Sequence, residues 1–366
     1  MKQFYKKEVY EQNYQLAKSL DYYCKSNKEE LVNRFSHALG ELLNKVTQQK
    51  DVPTAYIHFY VLRTDILFKN YRIWISAYNE AFYMDTTSVT VSFDAGELFT
   101  FLDKSDEYLS TAYKKYARKL TSDDVSVAVQ TQAIGVIRYI AHLAKIATNH
   151  LYKSGVLGQI EMAETFVVSA GEYRDYSEPL YMRLADKKSS EDIKLMINLK
   201  QYKEFNHEDF SELELQNLEL PNQSFCFTTF DSSDLSGTDM NTNALMGANF
   251  SKCKMSHINL MGAILHDADF ENADLSHANL KKAVAGLTEP AIDMLYSLGF
   301  NGVNFRHSNL SGADLRGGNF TGADFRGASF ENTNFINANL SKAIFDKDSI
   351  SSIQLSKKQL HEIITV

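Results

Sequence analysis

Large apolar residues recur at every fifth position through the C-terminal part of this chain, a spacing that few folds accommodate. The series runs Phe225, Phe230, Leu235, Met240, Leu245, Phe250, Met255, Leu260, Leu265, Phe270, Leu275, Leu280. It resumes at Phe305, Leu310, Leu315, Phe320, Phe325, Phe330, Phe335, Leu340 and Phe345. Two positions before most of these stands a small residue, usually Ala, as at Ala248, Ala263, Ala273, Ala313 and Ala338, with Asn or Asp commonly between. A period of five fits neither the 3.6 of an α-helix nor the 2 of a strand. It fits a coil in which each pentapeptide forms one of four sides. The large residue fills the axis, the small one also points inward, and Asn, Asp, Ser and Gly take the turns and face water. Successive coils then lie about 4.8 Å apart, the usual strand spacing. Phe250, Phe270, Leu275, Phe320, Phe325 and Phe330 are expected to form the axial core.

The pattern A-(D/N)-(L/F)-x-x, repeated from about Asn222 to Phe345, resembles that of the pentapeptide-repeat family. The resemblance implies an all-β, right-handed quadrilateral β-helix for residues 205–350. Gln223, Asn243, Cys253, Ile258, Val303 and Thr333 replace the small inward residue and make the first coils less regular, while 205–221 keep partial register. Residues 284–303 interrupt the pattern. From Leu280 to Phe305 is 25 positions instead of five, an excess of 20 that equals one coil and so preserves the phase of the four faces. Thr288, Pro290 and Gly299 frame a short helix over 289–298. Glu289, Asp293 and Tyr296 on it are candidates for a projecting, partner-binding element. Residues 351–366 lose the pattern and read as a C-terminal capping helix over the open end.

Residues 1–201 differ in composition. Of the 20 Tyr, 18 precede position 200, as does the single Trp. From Phe205 onward there are 20 acidic and 11 basic residues, a balance of −9, against 26 and 27 before it. Two domains are expected, the first α+β, mostly helical with a small antiparallel sheet. Ser26 and Glu29 suggest a capping box before a helix bearing Leu31, Phe35, Leu39, Leu42 and Val46. Alternation marks strands at 56–62, 71–78 and 89–93. Helices are expected over 96–120, 123–152, 157–169 and 191–201. The apolar stretch 125–147 contains Gln130, Gln132, Arg138, His142 and Lys145, which suits a buried amphipathic helix better than a membrane span. No signal peptide is visible. Three widely spaced cysteines, Cys24, Cys226 and Cys253, suggest neither a disulfide framework nor zinc, and a cytoplasmic location follows.

No nucleophile elbow, phosphate loop, H-E-x-x-H or C-x-x-C motif occurs. Glu204 and His207 form a lone E-x-x-H, too little for a di-iron site. Neither a catalytic residue nor a cofactor is expected. Positions 20 apart should share a face of the coil. On that basis Asp231, Asp269, Glu271 and Glu331 form a candidate acidic, partner-binding face against Lys252. Lys281, Lys282 and Lys342 lie opposite with Asp239, Arg306 and Arg326 form a third column, and His257 stacks on His277. Some members of the resembled family mimic DNA and bind gyrase or topoisomerase IV, so the acidic face invites that reading as an alternative. The mixed charges favour a non-enzymatic protein–protein interaction scaffold. The Tyr-rich first domain would supply a second binding surface or an accessory activity, and neither direct nucleic-acid binding nor membrane association is expected.

Overall fold

The computed structural model describes residues 2–49, 51–116, 120–184, 189–198, 205–287 and 301–366. The chain divides into two compact units, residues 1–185 and a second comprising 186–288 and 299–366.

After a helical lead-in over Lys2–Val9, the first unit has two consecutive helices, α1 (Tyr10–Ser26) and α2 (Lys28–Gln49). Helix α1 was not expected. It runs through Ser26, so Ser26 is no N-cap, and Asn27 closes α1 by donating its backbone N–H to Tyr23 O at 3.0 Å. Leu31, Phe35, Leu39, Leu42 and Val46 of α2 are all buried, as their spacing requires. Strands β1 (Thr54–Val61), β2 (Arg72–Tyr78) and β3 (Val89–Asp94) follow, then α3 (Gly96–Ala112) and α4 (Ser122–Lys153). A capping box between Thr121 and Asp124 starts α4.

Residues expected to form a helix over 157–169 instead enter strand β4 (Met162–Glu172), which pairs with β5 (Ser177–Leu184). The physical reason lies in Phe166, Val168 and Ala170. Their alternate burial and the β-branched pair Val167–Val168 suit a strand inside the sheet, between β1 and β5. The sheet has five strands in the order β3-β2-β1-β4-β5, and β1 pairs parallel with β4, so it is mixed rather than small and antiparallel. One face packs on the helices through Ile57, Phe59, Ile73, Ile75 and Phe166, with Phe35 of α2 against Phe59 and Phe93.

The second unit is a solenoid. Away from the interruption, the outward residue between the small and large core positions bridges in parallel to the residue 20 positions on, as in Asp209 to Thr229, Glu214 to Asp234, Glu219 to Asp239 and Ser224 to Ala244. These four rungs per 20 residues are one coil. The large residues are essentially solvent-free from Phe205 onward, including all six expected core residues, so the first full coil begins at Phe205. Phe230, Phe250, Phe270, Phe305, Phe325 and Phe345 stack with ring centroids 4.7–5.2 Å apart. Several inward hydroxyls are satisfied by the preceding coil. The hydroxyls of Ser233, Thr238 and Thr333 donate to the carbonyls of Phe210, Leu215 and Leu310 at 2.6–2.8 Å. Helix α5 (Ser190–Asn198) belongs to this unit, with Ile193 buried in the solenoid core. The boundary therefore precedes α5 instead of following residue 201.

At the interruption the repeat continues through Ala285, which takes an axial position, and Val303 donates its backbone N–H to Ala285 O at 3.0 Å. Asn304 then bridges to Asp269, Asn309 to Asp274, and Asn319 to Val284. The step from 284 to 304 is 20 residues where the repeat has five, an excess of 15, or three sides. The phase is therefore not preserved. Every later residue lies one side away from where a period of 20 puts it. The expected helix 289–298, with Thr288, Pro290, Gly299 and the candidates Glu289, Asp293 and Tyr296, lies outside the described residues.

At the C-terminal end, a short helix α6 (Lys357–Glu362) has a capping box from Ser356 to Gln359. Gln359 Nε2 donates to the carbonyls of Phe335 and Ala338 at 2.9 and 3.0 Å, and Ile364–Thr365 pair with Ile344–Phe345. Open backbone groups of the last coil are thereby occupied.

Candidate interaction surfaces

The turn residues of the solenoid are held by their neighbours. The outward Asp or Asn of each side accepts a backbone N–H two residues on, as Asp234 does from Ser236, Asp269 from Glu271 and Asp324 from Arg326, at 3.0–3.1 Å. The next residue adopts a left-handed φ, from 55° to 63° at non-glycine positions such as Lys252, Asp267 and Phe227. Where the following coil has Gly, the side chain lies across it. A Cβ at Gly312 would meet His277 Nδ1 at 2.4 Å.

The shift of one side rearranges the charged columns. Asp231 and Glu271 stay in one column, beside the Asp269 rung, but Arg306 and Arg326 continue it, since Asn272 N bonds to Arg306 O and His307 N to Arg326 O. Glu331 moves to the adjacent column, below Ser311 and Gly312, whose N–H donates to Glu331 O at 2.7 Å. The four expected acidic residues are thus not one face. Lys281 and Lys282 are joined by Arg316, while Lys342 lies in the next column. Asp314 binds Arg316 in bidentate fashion and Lys281 Nζ at 3.1 Å. Desolvation raises the Asp314 pKa, but these cationic partners outweigh it and hold it at about 2. His257 and His277 do stack, 4.9 Å apart and 10° from parallel. Among the described residues no group of three or more His, Cys, Asp or Glu could hold a metal ion. His207 stacks on Phe227 at 5.2 Å, and Glu204 lies outside the described residues.

The first unit carries a surface that sequence reasoning missed. Tyr56, His58, Tyr60, Ser76, Tyr78 and Ser169 point away from the helices, onto the other sheet face. The short helix Arg63–Leu67 reaches this face, where Trp74 Nε1 donates to Asp65 Oδ2 at 2.8 Å, and His58, Tyr60, Ser76 and Tyr78 are buried. The turn carrying Phe82 and Tyr83 folds across it, with Phe82 4.6 Å from Tyr56 and Tyr83 5.3 Å from Tyr173. His58 is fully buried, its Nδ1 2.9 Å from Ser169 Oγ. Burial pulls its pKa down to about 4 against the opposing influence of the Glu172 and Ser169 backbones, so the ring is neutral at pH 7. Tyr60 OH, Ser76 Oγ and Thr90 Oγ1 form a chain at 3.2 and 2.7 Å. The sequence signal was the alternation Tyr56, His58, Tyr60, whose polar aromatic face is as regular as its apolar one.

Burial pushes the Cys253 thiol up to about 12 and raises Cys24 as well. No helix among the described residues is long and apolar enough to cross a membrane.

The pentapeptide repeat family, described as pentapeptide repeats (8 copies), matches residues 245–281, 300–335 and 319–347. No curated protein matches the chain. Among solved structures, a trypsin-treated form of QnrB1, a plasmid-mediated fluoroquinolone resistance protein, is similar at 20% identity. The match covers 44% of this chain and 72% of that one, with a TM-score of 0.31. HetL, a pentapeptide repeat protein involved in heterocyst differentiation regulation from the cyanobacterium Nostoc, is similar at 17% identity over 43% of this chain and 98% of that one, TM-score 0.14. A pentapeptide repeat protein of the Arabidopsis thaliana thylakoid lumen matches at 22% identity over 44% and 74%, TM-score 0.11. The C-terminal part of the chain thus carries pentapeptide repeats within residues 245–347, and its N-terminal part matches no family.

Proposed function

We propose that this protein is a non-enzymatic protein–protein interaction scaffold that works in the cytoplasm. The solenoid is taken as the right-handed, four-sided coil that the resemblance implies, closed by α6. The observation that carries the reading is the fixing of the outward side chains in columns by bonds to the turn backbone, as in the Asp234, Asp269 and Asp324 rungs. A partner meeting such a surface orders few side chains on binding, which is the main cost of association that rigidity removes. Three buried, unpaired cysteines suit a reducing location.

The topoisomerase-binding, DNA-mimicking reading draws less support. Arg306 and Arg326 continue the column that holds Asp231 and Glu271, so no unbroken line of negative charge runs along the rod. Cross-linking in native lysate followed by affinity capture tests the scaffold reading, with recovery of a stoichiometric partner expected and recovery of none counting against it. Gyrase supercoiling should be unchanged by micromolar protein, and inhibition would restore the alternative.

A further inference from the structure

We propose that the exposed turn at the rim of this sheet face, centred on Arg174, docks a protein segment that presents one carboxylate beside an apolar side chain. The proposal rests on the interaction reading above and names its second surface.

Arg174 sits at the tip of the β4–β5 turn with a φ of 57°. Its backbone N–H donates to Tyr83 OH at 3.2 Å, and its guanidinium carbon lies 5.4 Å from the Tyr83 ring centroid and 5.3 Å from that of Tyr173. The two rings therefore hold the cation in place before any ligand arrives. Nearby Arg63 is neutralised by Glu172 and, at 2.9 Å, by Asp175. Among the described residues no carboxylate pairs with Arg174, so its N–H donors remain for an external acceptor. Apolar area flanks it. Met84 is 80% exposed and Tyr176 64% exposed. An immobilised Arg among tyrosines is the residue combination that concentrates binding energy at interfaces.

Charge selects the ligand. Glu80, Glu172 and Asp175 belong to the same two turns, so a strand with regularly spaced phosphates meets several carboxylates. A single carboxylate meets one free guanidinium, and its apolar neighbour can cover Met84 and Tyr176.

The full chain, labelled with nitrogen-15, is titrated with N-acetyl-Leu-Glu-Leu-amide and with its Gln counterpart while the Arg174 side-chain signal and the amides of residues 173–176 are followed. Saturable shifts are expected, with the Gln peptide about two- to fivefold weaker, as for an exposed ion pair. Arg174→Gln, at an exposed turn tip, should fold normally and lose the preference. Equal affinities, absent shifts, a preference that survives Arg174→Gln, or tighter binding of octadeoxythymidylate to the same residues would each overturn the proposal. A captured partner that tolerates Arg174→Glu but not substitutions in the solenoid columns would overturn this surface while leaving the scaffold reading intact. Peptide binding as expected with no partner captured would uphold the surface and count against the scaffold.

Discussion

Phe325 meets Phe305, Phe330, Phe335 and Phe345 around the coil axis, the last stacked at 4.7 Å, and has no solvent exposure. Phe325→Ala should cost about 3–5 kcal/mol in urea unfolding, because rings on both sides cannot close the cavity. Asn309 faces outward, yet its Nδ2 donates to Asp274 Oδ1 at 2.9 Å and its Oδ1 accepts from Ser311 N at 3.1 Å. Asn309→Ala should therefore cost about 1 kcal/mol instead of nothing. Equal losses at the two positions would refute the inward and outward assignment. Asp314, held at about 2, contributes stability that is present above its unfolded value near 3.8 and lost as pH falls through 2. Its cationic partners Lys281 and Arg316 are 37% and 47% exposed, so solvent screens the pair and the effect should stay below about 1 kcal/mol. Arg316→Ala should shrink it in acid-unfolding curves. Inward and outward positions in the solenoid were legible residue by residue, since the period of five has a single solution. The hydrogen bonds of Asn309 were not, because its partner Asp274 lies 35 positions away.

Within the sheet, His58 couples stability to pH. Its folded pKa of about 4 lies below the unfolded value near 6.5, so between those limits the unfolded chain binds more protons. Stability should rise from pH 4 to 6.5, by up to about 3 kcal/mol from this group. Replacing His58 by Asn should flatten that slope in denaturation series, and an unchanged slope would remove His58 as its source. Where the solenoid resumes, a Cβ at Gly302 would lie 2.4–2.5 Å from the backbone of Gly322 and Ala323. Backbone cannot yield as a side-chain end can, so Gly302→Ala should lower the melting temperature by several degrees, of the order of 1–3 kcal/mol. Helix α4 was readable from its amphipathic run, while strand β4 was not. Short apolar segments suit either state, and pairing with β1, about a hundred residues earlier in the chain, decides between them.

For the whole molecule the decisive quantity is the 15-residue excess at the interruption. It brings the column of Asp231 and Glu271 to Arg306. Cysteines substituted for Glu271 and Arg306 should be joined by a short thiol cross-linker, whereas cysteines replacing His266 and Arg306, neighbours only if the phase were preserved, should not. The reverse result would restore a continuous acidic face and with it the DNA-mimic reading. The rod is modest in length. Seven rungs from Asp209 to Ile344 span roughly 29 Å at the strand spacing.

The repeat determined by itself that the second half is a solenoid with a phenylalanine- and leucine-filled axis, because only a four-sided coil buries every fifth residue. Local sequence also placed α2, α4 and the first three strands. Tertiary structure alone decided which charges share a column, since the rung that follows Val284 depends on where the chain rejoins the coil, and counting residues cannot say which side that is. It also decided the aromatic cluster around Arg174, because Tyr83 and Tyr173 lie 90 positions apart and meet only once the sheet brings their turns together.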